Sequence, residues 1–222
     1  MGWLKETFTS SIGRKLIMSI TGLFLIGFLL THLSGNLLLF IQDQGVAFNE
    51  YSKFMSTSPI IRVLEVVLVA GFLFHIVDGI MLSIKNKKSR PVGYKKRSGS
   101  ESSFFSKFMP QTGLFIFIYL IIHINSFTIK HRVVEPGNLD FYGTVSDAFR
   151  YGWGGFYWAF YVLAMVLLAF HLNHGFQSAF QSLGLNHKKY SPIIKTLGSL
   201  YSIVVPAAFA AIPVYFRFFY TA

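Results

Sequence analysis

Five stretches of this chain stay apolar for twenty residues or more, at 16–41, 60–84, 109–129, 156–180 and 193–216. Crossing about 30 Å of hydrocarbon takes about 20 helical residues. Lipid offers the backbone no hydrogen-bond partner, so a stretch that crosses must satisfy its own amides as a helix. The expected fold is therefore all-α: one integral membrane bundle of five transmembrane helices, a single domain over 1–222. Pro59 suits the start of the second helix, and Pro206 and Pro213 should bend the fifth.

Composition narrows the function classes. The chain is 53% apolar and 13% charged, which places it among membrane proteins. It has no cysteine, which excludes disulfides, thiolate metal sites, iron–sulfur ligation and Cys-attached haem. A net charge of +11 would suggest nucleic acid in a soluble chain, but here the basic residues gather in loops and no nucleic-acid motif accompanies them. The first residues show no cleavable signal pattern, and Glu6 stands where myristoylation needs Ser or Thr.

With five spans the two ends lie on opposite sides. Fourteen Lys and Arg fall on the side of the N-terminus, the 85–107 loop and the 188–195 loop, against six on the other. That asymmetry predicts a cytoplasmic N-terminus. The 85–107 loop, with Lys85, Arg90 and Lys95 through Arg97, reads as a solvated, lipid-anchoring segment rather than a docking surface.

Four histidines lie within four different spans, and their surroundings match in pairs. Thr21-Gly22-Leu23-Phe24 leads to His32, and Thr112-Gly113-Leu114-Phe115 leads to His123 at the same spacing. Phe74-His75 has Gly79 at plus four, and Phe170-His171 has Gly175 there. A helical rise of about 1.5 Å per residue puts His32 and His123 about 10–15 Å from the outer end and His75 and His171 about 20–27 Å from it. Depth and motif thus agree on two layers, an outer pair of His32 with His123 and an inner pair of His75 with His171.

An isolated membrane histidine is often a polar group hydrogen-bonded between helices, but ionisable residues matched twice at membrane depth point to function. Two neutral imidazoles from two helices suit haem b held from both faces. Zinc fits less well, because no Cys, Asp or Glu accompanies each layer to complete a tetrahedral set. A glycine one turn from a ligand lets a flat porphyrin approach the backbone. Thr21 and Thr112 fall three turns before the outer histidines, about 16 Å nearer the cytoplasm and so near the inner layer, where a hydroxyl could meet a haem edge or propionate. His174 competes with His171, but the glycine at plus four favours His171. His131 and His187 lie at membrane edges.

On these residues the chain resembles the di-haem cytochrome b membrane-anchor subunit of succinate:quinone oxidoreductases, the succinate dehydrogenases and fumarate reductases with one five-helix anchor. The resemblance covers nearly the whole chain and rests on Ser19-Ile-Thr-Gly-Leu-Phe with His32, Phe74-His75 with Gly79, Thr112-Gly113 with His123, and His171 with Gly175 and Leu183-Gly184. It implies two haem b groups, the inner on His75 and His171 and the outer on His32 and His123, with Ser19 near a propionate. It also implies a cytoplasmic flavoprotein and iron–sulfur subunit, and electron transfer between them and a quinone, most often menaquinone. The location implied is the bacterial cytoplasmic membrane, in a complex that can form a higher oligomer.

Some fumarate reductases carry Glu two positions before the fourth ligand, where this chain has Ala169. A proton route through that Glu is unsupported, which mildly favours a succinate dehydrogenase role. The chain carries no dicarboxylate or flavin site of its own. Glu65, about three turns outward from His75, is a candidate quinone-site or proton group, or else a helix-end acid paired with Arg62. Asp78 and Asn125 are weaker candidates for setting potential or holding propionates. Two alternatives stand beside this reading: the cytochrome b anchor of a hydrogenase or formate dehydrogenase, and a haem-free transporter.

Overall fold

The computed structural model describes residues 2, 10–88 and 108–221, so most of the basic 85–107 loop lies outside the described residues, as does Glu6. Among the described residues all regular structure is helical. The elements are α1 (Ser11–Asn36), a 3-10 turn (Leu37–Phe40), α2 (Val46–Thr57), α3 (Pro59–Lys88) and α4 (Met109–His123). A π-helical segment (Ile124–Val134), α5 (Phe141–Gly155), α6 (Tyr157–Ser182) and α7 (Ser191–Phe218) follow. Among the described residues five helices are long and apolar enough to cross a membrane: Ser11–Phe40, Pro59–Lys88, Met109–Val134, Tyr157–Ser182 and Ser191–Phe218. The third of them is α4 and the π-helical segment taken together.

Local chemistry marks the helix ends. The Ser10 hydroxyl caps α1 by accepting from Gly13 N at 3.0 Å. Pro59 opens α3, and α4 and α7 carry proline in their first turns, where the missing N–H costs nothing. Pro206 and Pro213 lie inside α7 and are both buried, Pro213 among the most completely buried side chains.

Consecutive spans run antiparallel. Along α1 and α3, Ser11 meets Lys85, Thr21 meets His75 and Phe28 meets Phe72. Along α4 and α6, Thr112 meets His171 and His123 meets Tyr161. The chain thus holds two similar hairpins, α1–α3 and α4–α6. The last span, α7, packs along α6, where Gly198 sits so close to Phe176 that a Cβ would fall 2.6 Å from its ring. The Tyr201 hydroxyl also ties α7 to α1, donating to Ile26 O at 2.7 Å.

Two helices were not expected from hydropathy. The stretches between the expected spans, 42–59 and 130–155, contain α2 and α5, which are too short and too polar to span. Asp43 caps α2 by accepting from Ala47 N at 2.8 Å, and Asp140 caps α5 by accepting from Gly143 N at 2.8 Å. Asn49 of α2 accepts from Tyr142 N at 2.7 Å and joins the two. Both lie at the same end of the bundle, because each follows a span that runs toward that end. They close it over an aromatic core of Leu39, Phe48, Tyr142, Val145, Phe149, Tyr157, Tyr161, Ile212 and Phe216.

The opposite half is looser. In α3 only Asp78 is buried, and apolar side chains such as Ile60 (72% exposed) and Val66 (70%) face outward, as lipid-facing residues do. This uneven packing puts the densest core beside His123 and leaves His75 on a peripheral helix.

Candidate functional site

Four histidines from four spans form two facing pairs inside the bundle. The His32 and His123 rings lie 5.8 Å apart at 88°, and the His75 and His171 rings lie 6.2 Å apart at 70°. Each pair takes one ring from each hairpin. Two imidazoles binding one metal from opposite sides, with bonds of about 2 Å, have ring centroids about 6 Å apart. Both pairs therefore have the spacing of a two-imidazole metal site. It is His171 whose ring faces His75, while His174 is one turn further along α6.

The inner pair shows why the Thr-Gly motif recurs. Thr21 Oγ1 lies 3.3 Å from His75 Nδ1, and Thr112 Oγ1 lies 3.4 Å from His171 Nδ1. Each threonine spends its own proton on its helix: Thr21 donates to Ile17 O at 2.8 Å, and Thr112 to Phe108 O and Met109 O at 3.1 Å. The hydroxyl oxygen can then only accept from the imidazole, so Nδ1 carries the hydrogen and Nε2 keeps the lone pair that a metal needs. The adjacent glycines leave room for the rings: a Cβ on Gly22 would sit 3.4 Å from His75 Cε1, and one on Gly113 would sit 3.6 Å from His171 Cε1. Thr21 and Thr112, expected near a haem edge or propionate, thus stand against the inner imidazoles. Because each is eleven residues from an outer histidine on its own helix, the two layers are about 16 Å apart along the bundle.

The outer pair is set among aromatic rings. Phe28 stacks on His32 at 5.3 Å, and Tyr119 stacks on His123 at 5.6 Å. Each stands four residues before its histidine, a further repeat between the two hairpins. His123 Nδ1 lies 3.3 Å from the Tyr161 hydroxyl. At His32 the neighbour of Nδ1 is the Asn36 amide nitrogen at 3.5 Å, which donates more closely to His32 O at 2.7 Å. Helix α4 ends at His123 and continues as the π-helical segment. Such widened turns gather at functional positions.

The remaining candidates divide. Ser19 is buried and donates to Lys15 O at 2.8 Å. A Cβ on Gly175 would meet nothing within 4 Å, leaving open space of the kind a flat ligand could occupy, whereas one on Gly79 would meet Met18 at 3.3 Å. Asp78 is buried with Oδ2 lacking a hydrogen-bond partner, three residues from His75. Asn125 is exposed. Glu65 accepts from Arg62 at 2.8 Å and from both terminal nitrogens of Arg132, one of them at 2.9 Å, so it braces α3 against the π-helical segment. His131 packs on Phe141 at 4.3 Å, and His187 is exposed.

Among the described residues no group of three or more His, Asp or Glu side chains is placed to hold a bare metal ion. The chain matches no protein-family model, no curated protein and no solved structure.

Proposed function

We propose that this chain is the di-haem cytochrome b membrane anchor of a succinate:quinone oxidoreductase, joining an iron–sulfur subunit and its flavoprotein to a quinone pool. The observation that carries the reading is the pair of facing imidazole sets, 5.8 and 6.2 Å between rings, stacked in one five-helix bundle. His32 with His123, and His75 with His171, would each hold one haem b. When bound, haem would supply reversible one-electron transfer, with one histidine from each hairpin holding it in each layer.

The residues around the pairs prepare them for that task. Thr21 and Thr112 fix the tautomer of the inner imidazoles and orient their rings. Phe28 and Tyr119 exclude water from the outer rings and restrain them. The excess of basic residues on one side supports a cytoplasmic N-terminus, with α2 and α5 on the outer face. The inner pair then lies nearer the cytoplasmic partners and the outer pair nearer the quinone, for which menaquinone is the proposed substrate. The membrane proposed is the bacterial cytoplasmic membrane. Succinate chemistry belongs to the partner subunits.

A reduced-minus-oxidised spectrum of the purified complex, with haem measured per anchor polypeptide, tests the reading. Two haem b per chain are expected, and a haem-free chain would overturn it. Glu65 is the proposed quinone-site group, near the outer layer and held by two arginines. Glu65→Gln is expected to slow quinone turnover while haem content stays at two. Unchanged quinone kinetics would leave Glu65 only its bracing role between α3 and the π-helical segment.

A further inference from the structure

The Nδ1 partners of the inner and outer imidazoles differ in kind. Both inner rings meet a threonine whose proton is already given to its own helix backbone. The outer ring of His123 meets a tyrosine that belongs to a longer chain. The Tyr161 hydroxyl is 2.9 Å from that of Tyr157, and the Tyr157 hydroxyl donates to Ser126 Oγ at 2.7 Å. With Tyr157 donating to Ser126 Oγ, Tyr161 donates to Tyr157 and its oxygen accepts from His123 Nδ1. The hydrogen bonds thus run in one direction, from His123 through two tyrosines to Ser126. Tyr161 and Tyr157 are 5% and 3% exposed, so neither hydroxyl exchanges this chain for bulk water.

We propose that Tyr161, backed by Tyr157 and Ser126, is the positioning residue that makes the outer site electronically different from the inner one. This rests on the reading above, in which His123 is an iron ligand. An acceptor on Nδ1 makes the imidazole a stronger electron donor to its metal, which favours the oxidised metal and lowers its potential. A hydroxyl that donates onward becomes a better acceptor, so Tyr157 and Ser126 strengthen the hold of Tyr161 on His123. His32 has no such hydroxyl, since its Nδ1 neighbour is the Asn36 amide nitrogen. The outer site is therefore tuned from one side only. Helix α6 does this while also carrying the inner ligand His171 about 15 Å away, ten residues along the same helix. One rigid helix thus serves both layers, as a ligand in one and as a hydrogen-bond partner in the other.

Redox titration of the haem spectra in the purified complex tests this. Tyr161→Phe keeps the ring packing of Tyr161 against Tyr119 and Phe149 and removes only the hydroxyl. It is expected to raise the midpoint of one haem and leave the other unmoved. The haem that moves should be the one missing from His123→Ala. Tyr157→Phe should move the same haem by less, and it carries the test if Tyr161→Phe does not assemble. Thr112→Val should move the other haem. Two haems per chain with both midpoints unmoved in Tyr161→Phe and Tyr157→Phe would overturn the inference alone. So would a shift confined to the haem that survives in His123→Ala. A wild-type complex without haem b would sink the functional reading and this inference with it.

Discussion

His171→Ala is expected to lower haem content from two to one per chain, and the haem lost should be the same one that His75→Ala removes. His32→Ala and His123→Ala should each remove the other haem. The pairing follows from the rings that face each other, 6.2 Å apart in one layer and 5.8 Å in the other, each pair drawing on both hairpins. Low-temperature spectra of the four single variants would separate the two classes. Combining one substitution from each layer, as in His32→Ala with His171→Ala, should leave no haem. His174→Ala should keep both, because the ring facing His75 is that of His171. Loss of one haem by both His32→Ala and His75→Ala would mean that the sites do not follow the layers seen here.

The second large effect concerns the closed end of the bundle. Gly45 caps α2 with a φ of +85°, and a Cβ there would fall 2.2 Å from Tyr142 Cγ and 2.5 Å from Tyr142 Cβ. These atoms lie next to the α5 backbone, so no rotamer change relieves the overlap. Gly45→Ala should cost about 1 kcal/mol for the left-handed conformation and about 1–3 kcal/mol more for overpacking. Gly137→Ala is the control: its φ is +100°, but a Cβ there meets nothing within 4 Å. Thermal unfolding of the purified complex should fall by several degrees for Gly45→Ala and by clearly less for Gly137→Ala. Equal losses would show that the contact with Tyr142 is not what holds α2 to α5. Because this end packs around Tyr157 and Tyr161, the same variant should also loosen the surroundings of His123.

Much of the site was legible in the order of residues. The eleven-residue step from Thr21 to His32, and from Thr112 to His123, marked two related hairpins. Depth counted along each helix sorted the histidines into the pairs whose rings now face each other. The role of the threonines was not legible. Their spacing put them in the inner layer, yet the groups their hydroxyls meet there, the imidazoles of His75 and His171, belong to neighbouring helices. Spacing within one helix says nothing about which partner a side chain meets across an interface. Tyr161, Tyr157 and Ser126 were missed for the same reason, since they come from two helices and share no motif. Helices α2 and α5 were missed because hydropathy detects spans and passes over short amphipathic helices outside them.

The sequence by itself determined five long apolar helices, because an uninterrupted apolar run of twenty or more residues can satisfy all its amides within itself only as a helix. It also determined how far along its helix each histidine lies, because helical rise is constant. Only the tertiary structure decided what touches each imidazole. Rotation of a helix about its axis in lipid is set by close packing and polar contacts with its neighbours, not by its own hydropathy. Contacts such as Gly22 against His75 and Tyr161 against His123 exist only once the two hairpins have docked.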